Sequence, residues 1–371
     1  MDRWTSEDLQ RIAADVAAIP QLQKQLLARA SAGMRSADRV AHEYQIAGGR
    51  VALQIAAQLP DSLDGVGLFK AGAGYTGIGR VSTGMGCPHR ETAPDFLGLR
   101  LAFMTAEGQR VDFIGINDPT APTDTHGDFM TLLAGTVAAA GRGSIAGALA
   151  LCASLIRNAG LRRGAKIFAH VTKQTARTVL STTAYQTYWT GIVDTGGRLG
   201  KCVIAPTHNE NPTRVLAAGA RPLSEEWRRR QSQGPVEFDL HWIPFLDEAR
   251  TPLSELTRAW KEERHLIGRA TFPSVDPGSE EAVLWAALAA EMRANPGNWV
   301  RDHATDIPLP VTEFGLARKF AYEKSQQGRD ALLEADYQHV FSEGEIGTAL
   351  TDELRRRREA KRALGHVDAA E

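Results

Sequence analysis

Four short runs in this chain carry side chains suited to redox or acid–base work. They are Arg39-Val40-Ala41-His42, Gly79-Arg80-Val81-Ser82-Thr83, Asp112-Phe113-Ile114-Gly115-Ile116-Asn117-Asp118-Pro119, and Arg318-Lys319-Phe320-Ala321-Tyr322 followed by Arg329. A histidine such as His42 can take and return a proton near neutral pH. Guanidinium forks such as those of Arg39, Arg80 and Arg329 match carboxylates. A tyrosine oxygen such as that of Tyr322 can ligate ferric iron once deprotonated. A phenol normally loses its proton near pH 10, so ligation needs a nearby cation. Arg318, four residues before Tyr322, shares its face if the segment is helical.

The rest of the sequence bounds what these residues can belong to. With 371 residues, 43% hydrophobic and 23% charged, the chain can bury a large core. The formal net charge is −1, so no global field favours nucleic acid or membrane. Cys87, Cys152 and Cys202 are odd in number and lack CxxC spacing, which argues against a disulfide framework or a zinc site and for a cytoplasmic setting. The N-terminus bears Asp2, Arg3, Glu7, Asp8 and Arg11 and has no apolar signal core. The apolar tract 130–156 is interrupted by Arg142, and its second half is shorter than the roughly 20 residues of a membrane span. It reads as buried helix.

Residues 5–31 carry apolar positions at helical spacing, with Pro20 a break or kink, and form an N-terminal arm over 1–36. Short extended runs then alternate with glycine-rich turns: 66–69, 79–82, 99–104 and 111–114, and later 166–171, 185–192, 201–205 and 236–244. They read as strands of a β-barrel of about eight strands. Helices are expected over 130–157, in 219–234, over 280–294 and, as a charged terminal helix, within 333–371. The four arginines at 355–358 are flanked by Asp352, Glu353 and Glu359 with no aromatic residue between them, a pattern of a solvated or subunit-contacting helix.

Gly72-Ala73-Gly74-Tyr75-Thr76-Gly77 fits GxGxxG, but a β-like run follows it, so no helix N-terminus is available for a pyrophosphate. The histidines include no HExxH. The ordered set of four motifs resembles the haem-catalase superfamily, and specifically its short, catalase-related members, over residues 37–332. The resemblance implies an α+β fold, a catalase-like antiparallel β-barrel with flanking and C-terminal helices. It implies haem b as cofactor, His42 as the acid/base residue, Ser82 as its orienter, and Tyr322 as axial ligand to the haem iron with Arg318 as the phenolate's partner. Arg39, Arg80 and Arg329 would hold the propionates and Phe129 would stack on the porphyrin. A homo-oligomer, dimer or larger, is also implied.

The departures from the family pattern concern the distal pocket. Ile116 stands where catalases place an asparagine and only Asn117 is kept; Ala121 stands where they have a phenylalanine, and Ala41 where they have valine. If Ile116 points into the pocket, strand alternation turns Asn117 away. A wider, more apolar pocket implies peroxide-dependent chemistry on a small organic substrate, by peroxidatic oxidation or by rearrangement of an organic hydroperoxide. The alternatives are weak catalase activity on hydrogen peroxide and a non-catalytic haem-binding protein.

Overall fold

Strand alternation sorts this chain into the two faces of a barrel wall. In β3 (Leu97–Met104) Leu97, Leu99, Leu101 and Phe103 belong to the barrel core, while Gly98 and Arg100 line a cavity on the other face. The same two-residue period runs through β2 (Gly74–Thr83) and β4 (Arg110–Ile116), where Val81 and Phe113 point inward and Arg80, Ser82, Asp112 and Ile116 outward. With β1 (Gln45–Ile55), β5 (Tyr188–Thr195), β6 (Arg198–Pro206), β7 (Val236–Pro244) and β8 (His265–Phe272), these strands close an antiparallel barrel in sequence order. This computed structural model describes residues 4–29, 39, 41–86, 89–176, 182–195, 198–207, 221–299, 311–327 and 329–363.

Aromatic side chains fill the barrel: Phe113 packs edge-on against Phe103 and Trp299, and Phe238 against Phe272 and Tyr188. Such bulk requires glycines opposite it. A Cβ at Gly200 would lie 2.2 Å from Trp242 and one at Gly79 2.2 Å from Phe272. The narrowest seam is β4–β5, paired only at Gly115–Thr190 and Ile116–Trp189. The chain leaves the barrel there for α3 (His126–Ala139), α4 (Ser144–Ala159) and α5 (Leu161–Ala176).

At the N-terminus, α1 (Ser6–Asp15) and α2 (Ile19–Arg29) share an apolar cluster with α3 and α8 (Glu313–Gln326). Pro20 is the second residue of α2, where a missing N–H is harmless, and a short 3₁₀ turn over 16–18 separates the two helices. His126 lies between Asp15 at 2.6 Å and Glu313 at 3.1 Å, which ties α1 and α3 to the helix that carries Tyr322. Between β6 and β7 lies α6 (Pro222–Gln233), whose Trp227 is buried against Phe238 and Phe272. After the barrel, α7 (Glu280–Glu291) covers the outer face of β1 and β2. The short helices α9 (Glu334–Tyr337) and α10 (His339–Glu343) precede α11 (Thr348–Ala363). In α11 the arginines form intrachain ion pairs, Arg355 with Glu280, Arg356 with Glu353, and Arg357 with Glu353 and Asp330.

Three sequence expectations are corrected. Residues 166–171 are not a strand but the middle of α5, because Gly164, Ile167, Val171 and Gln174 recur at helical spacing and form its buried face. Residues 66–69 make one isolated bridge within a turn rather than a barrel strand. The tract 130–156 is two helices broken at Gly141-Arg142-Gly143, and its second helix, α4, is apolar outside as well as inside: Ile145 and Leu149 are 80% and 67% exposed. Among the described residues no helix is long and apolar enough to cross a membrane.

Candidate active site

The site lies on the outer face of β2, β3 and β4, at their end nearest the β4–β5 seam. Register puts Ser82 opposite Gly98 and Gly98 opposite Ile116, a cross-strand row sharing one face. The His42 imidazole rests on that row. Its Nδ1 is 3.2 Å from Ser82 Oγ, and a Cβ on Gly98 would come within 2.6 Å of the same nitrogen. Gly98 is therefore the space His42 occupies. Replacing it with alanine is expected to displace the ring from Ser82 and to slow, at least about tenfold, any step in which that ring serves as the acid–base group. Unchanged single-turnover rates in Gly98→Ala would show that the ring works without this seat.

His42 has φ = 58°, and no other non-glycine among the described residues has a positive φ. Such strain is held only where neighbours over-determine the backbone. Here the His42 N–H donates to Gly84 O at 2.9 Å, and Arg80 Nη2 donates to the carbonyls of His42 and Glu43, each at 2.9 Å. The buried Asp95 carboxylate fixes the facing loop by accepting from the N–H groups of Gly84 (2.7 Å) and Met85 (2.9 Å), with His89 3.1 Å away. Burial pushes the His42 pKa down to about 4; Asp95 opposes this, and the Arg80 and Arg318 charges reinforce it. The ring is thus neutral across the physiological range, as a proton acceptor must be.

Ile116 lines the cavity with Ala41 and Ala121, but Asn117 does not. Asn117 Oδ1 instead accepts the Leu97 N–H at 2.8 Å, so its amide is committed to joining β3 to the end of β4. No amide of the Ile116-Asn117 pair faces His42.

Below this row the next outward positions, Arg80 and Arg100, are cross-strand neighbours and both are buried. Arg39, Arg100 and Arg329 donate to carbonyls at the C-terminal end of α7: Arg39 to Ala290 O at 2.7 Å, Arg100 to Met292 O and Ala289 O at 3.3 Å each, and Arg329 to Ala290 O. Helix C-termini favour cations. Even so, burial followed by the charges of Arg39 and Arg100 lowers the Arg80 pKa well below the ordinary arginine value, and burial is the largest cause that brings Arg100 down to about 10. Arg80 Nε and Arg100 Nε are buried without a hydrogen-bond partner among the described residues. Four guanidiniums, Arg39, Arg80, Arg100 and Arg329, line one cavity, and the open Nε donors of Arg80 and Arg100 make it an anion site suited to carboxylates.

From the helical side, α8 presents Arg318 and Tyr322 to the same cavity, with Thr312 capping the helix by accepting the Gly315 N–H at 3.0 Å. Gly191 makes way for Arg318; a Cβ there would lie 3.2 Å from Nη1. Phe129 on α3 reaches the cavity and packs edge-on against Phe314, ring centroids 5.2 Å apart. The cavity, about 790 Å³, thus brings together Arg39, Ala41, His42, Arg80, Ser82, Ile116, Ala121, Phe129, Arg318, Tyr322 and Arg329. Gly98, Asp95, Arg100 and Lys201 also line the cavity and lie outside the four motifs. Lys201 also lines this space; burial lowers its pKa to about 8 and its ammonium sits 4.7 Å from the Trp260 ring centre. The available signal was a charged residue set inside an apolar run, Arg100 within 97–104 and Lys201 within 199–205.

The residues present fit a haem. The arginines could take its propionates, Tyr322 its iron and Phe129 its ring, while His42 enters from a different element than Tyr322. The sequence matches no protein-family model and no curated protein. Solved structures are more informative. The chain superposes on a fungal catalase (TM-score 0.61, 15% identity, 79% of this chain and 59% of that one) and on catalase A from Saccharomyces cerevisiae (0.62, 13%, 79% and 61%). It also superposes on a bacterial catalase (0.61, 18%, 81% and 58%). The protein has a catalase-like fold: a closed eight-stranded antiparallel barrel with flanking helices. It spans 58–61% of the length of these catalases.

Proposed function

We propose that the protein is a haem enzyme that uses a peroxide, or an organic hydroperoxide, to transform a small organic substrate. The observation that carries this reading is a neutral, backbone-strained His42 seated on Gly98 beside Ser82, in a cavity that also receives Tyr322, Arg318 and the cluster Arg39, Arg80, Arg100 and Arg329. Haem b would supply an iron at which an O–O bond can be cleaved. His42 would accept the proton from one peroxide oxygen and deliver it to the other. Ser82 would hold Nδ1 so that Nε2 faces the peroxide. Arg39, Arg80, Arg100 and Arg329 would pair with the propionates, and Arg318 would be the partner of the Tyr322 oxygen. The apolar pocket formed by Ile116, Ala41 and Ala121, with the Asn117 amide engaged elsewhere, favours an organic molecule over hydrogen peroxide alone.

Oxygen release and donor oxidation, measured side by side on haem-loaded protein, separate the readings. The expected result is oxidation of an organic donor, or conversion of an organic hydroperoxide, faster than oxygen evolution from hydrogen peroxide. Predominant oxygen evolution would make the protein a catalase, and inert haem would make it a carrier. In the same assay the rate should stay flat from about pH 8 to pH 5 and fall as pH approaches 4, because the lowered pKa of His42 postpones its protonation. A midpoint near 6.5, the ordinary histidine value, would remove the buried neutral ring from the mechanism.

A further inference from the structure

The exposed faces of α4 and α5 differ from the rest of this nearly neutral chain. Between Asp128 and Asp194 the sequence contains no acidic residue and seven basic ones. On α4, Ile145, Leu149, Cys152 and Ile156 recur at helical spacing on one side, opposite the Leu151, Ser154 and Leu155 face that packs inward. Among the described residues, Ile145, Leu149 and Leu161 are half of the large apolar side chains standing exposed, at 80%, 67% and 69%. On α5, Arg162, Lys166 and Lys173 recur at the same spacing and are exposed. An apolar stripe therefore lies on a helix packed against one with a basic stripe.

We infer that the α4–α5 face docks on an anionic lipid surface, with Ile145, Leu149 and Leu161 entering the headgroup layer and Arg162, Lys166 and Lys173 pairing with lipid phosphates. Apolar side chains bordered by cations on a helix too short to span are the pattern of an interfacial element. Charge complementarity selects this occupant. A two-fold contact between copies would place the same basic stripes against each other. The cavity reaches this face too: Arg142, Gly143, Ala148 and Thr172 line it and are exposed. An apolar molecule dissolved in the bilayer thus has a short path inward. The docking face is read from α4 and α5 alone and is independent of the haem chemistry proposed above.

The test is flotation of the full chain with vesicles of phosphatidylglycerol and phosphatidylcholine, or of phosphatidylcholine alone, beside gel filtration of the free protein. The expected result is binding to the anionic vesicles that weakens at least about tenfold in about 0.5 M salt, in I145D/L149D and in R162E/K166E. Both double variants should keep the wild-type thermal melt, which excludes loss through unfolding. Absence of binding to either vesicle overturns the inference, as does binding that both variants retain. A dimer that I145D/L149D disperses, without vesicle binding, assigns the face to a second copy and likewise overturns it.

Discussion

His42→Ala should retain haem yet lose peroxide activation by about 10²- to 10⁴-fold, the usual contribution of a positioned acid–base group. Retention is expected because Arg80, Arg100, Arg329 and Tyr322 come from β2, β3, α8 and its flank, and Arg39, on the His42 segment, is held by Ala290 O; none of these contacts involves the imidazole. His42→Gly should fall as far in rate but also relieve the backbone. A non-glycine at φ = 58° costs about 1–2 kcal/mol, so this variant should melt higher than His42→Ala. Strain relieved together with activity lost would mark His42 as a residue held against its own preference for function. Stopped-flow mixing with peroxide reads the rate. A rate close to wild type in either variant would remove His42 from the chemistry.

Arg100→Met separates cofactor binding from folding. Arg100 is buried, pushed down to about 10 chiefly by burial, and held by two hydrogen bonds of 3.3 Å to the end of α7. Removing a charge that burial disfavours and that the Arg39 and Arg110 charges repel relieves desolvation and like-charge repulsion. The haem-free variant should therefore melt at or a few degrees above wild type. Haem affinity should fall about 10- to 100-fold, the worth of a charge-assisted hydrogen bond to a carboxylate. Affinity equal to wild type, with the stability gain, would show that the cluster of arginines does not receive the anion. Arg80 is a poorer probe, because it also anchors the carbonyls of His42 and Glu43.

The barrel was legible where large apolar residues on one face of a strand alternate with small or charged ones on the other. Leu-Gly-Leu-Arg-Leu-Ala-Phe-Met in β3 writes the alternation directly, and the four motifs fall on elements that meet in one cavity. What could not be read depends on neighbours distant in sequence. Gly98 matters because register sets it beside Ser82 and beneath His42; Arg100 matters because Arg80 lies alongside and α7 ends above it. The left-handed backbone of His42 requires Arg80 and Gly84 to impose it, and no local residue type announces that. The error over residues 166–171 has a local cause. Lys-Ile-Phe-Ala-His-Val is too short and too apolar for its period to separate strand from helix, and its longer frame, from Gly164 to Gln174, settles it.

The most direct test of the account is the absorption spectrum of haem-loaded protein, wild type beside Tyr322→Phe. Ligation of the iron by Tyr322 requires a high-spin ferric spectrum of the phenolate-ligated kind in the wild type and its loss in the variant. An identical spectrum in the two proteins would give the iron to another residue. Failure of the wild type to take up haem at all would leave the catalase-like barrel as a fold without the chemistry assigned to it.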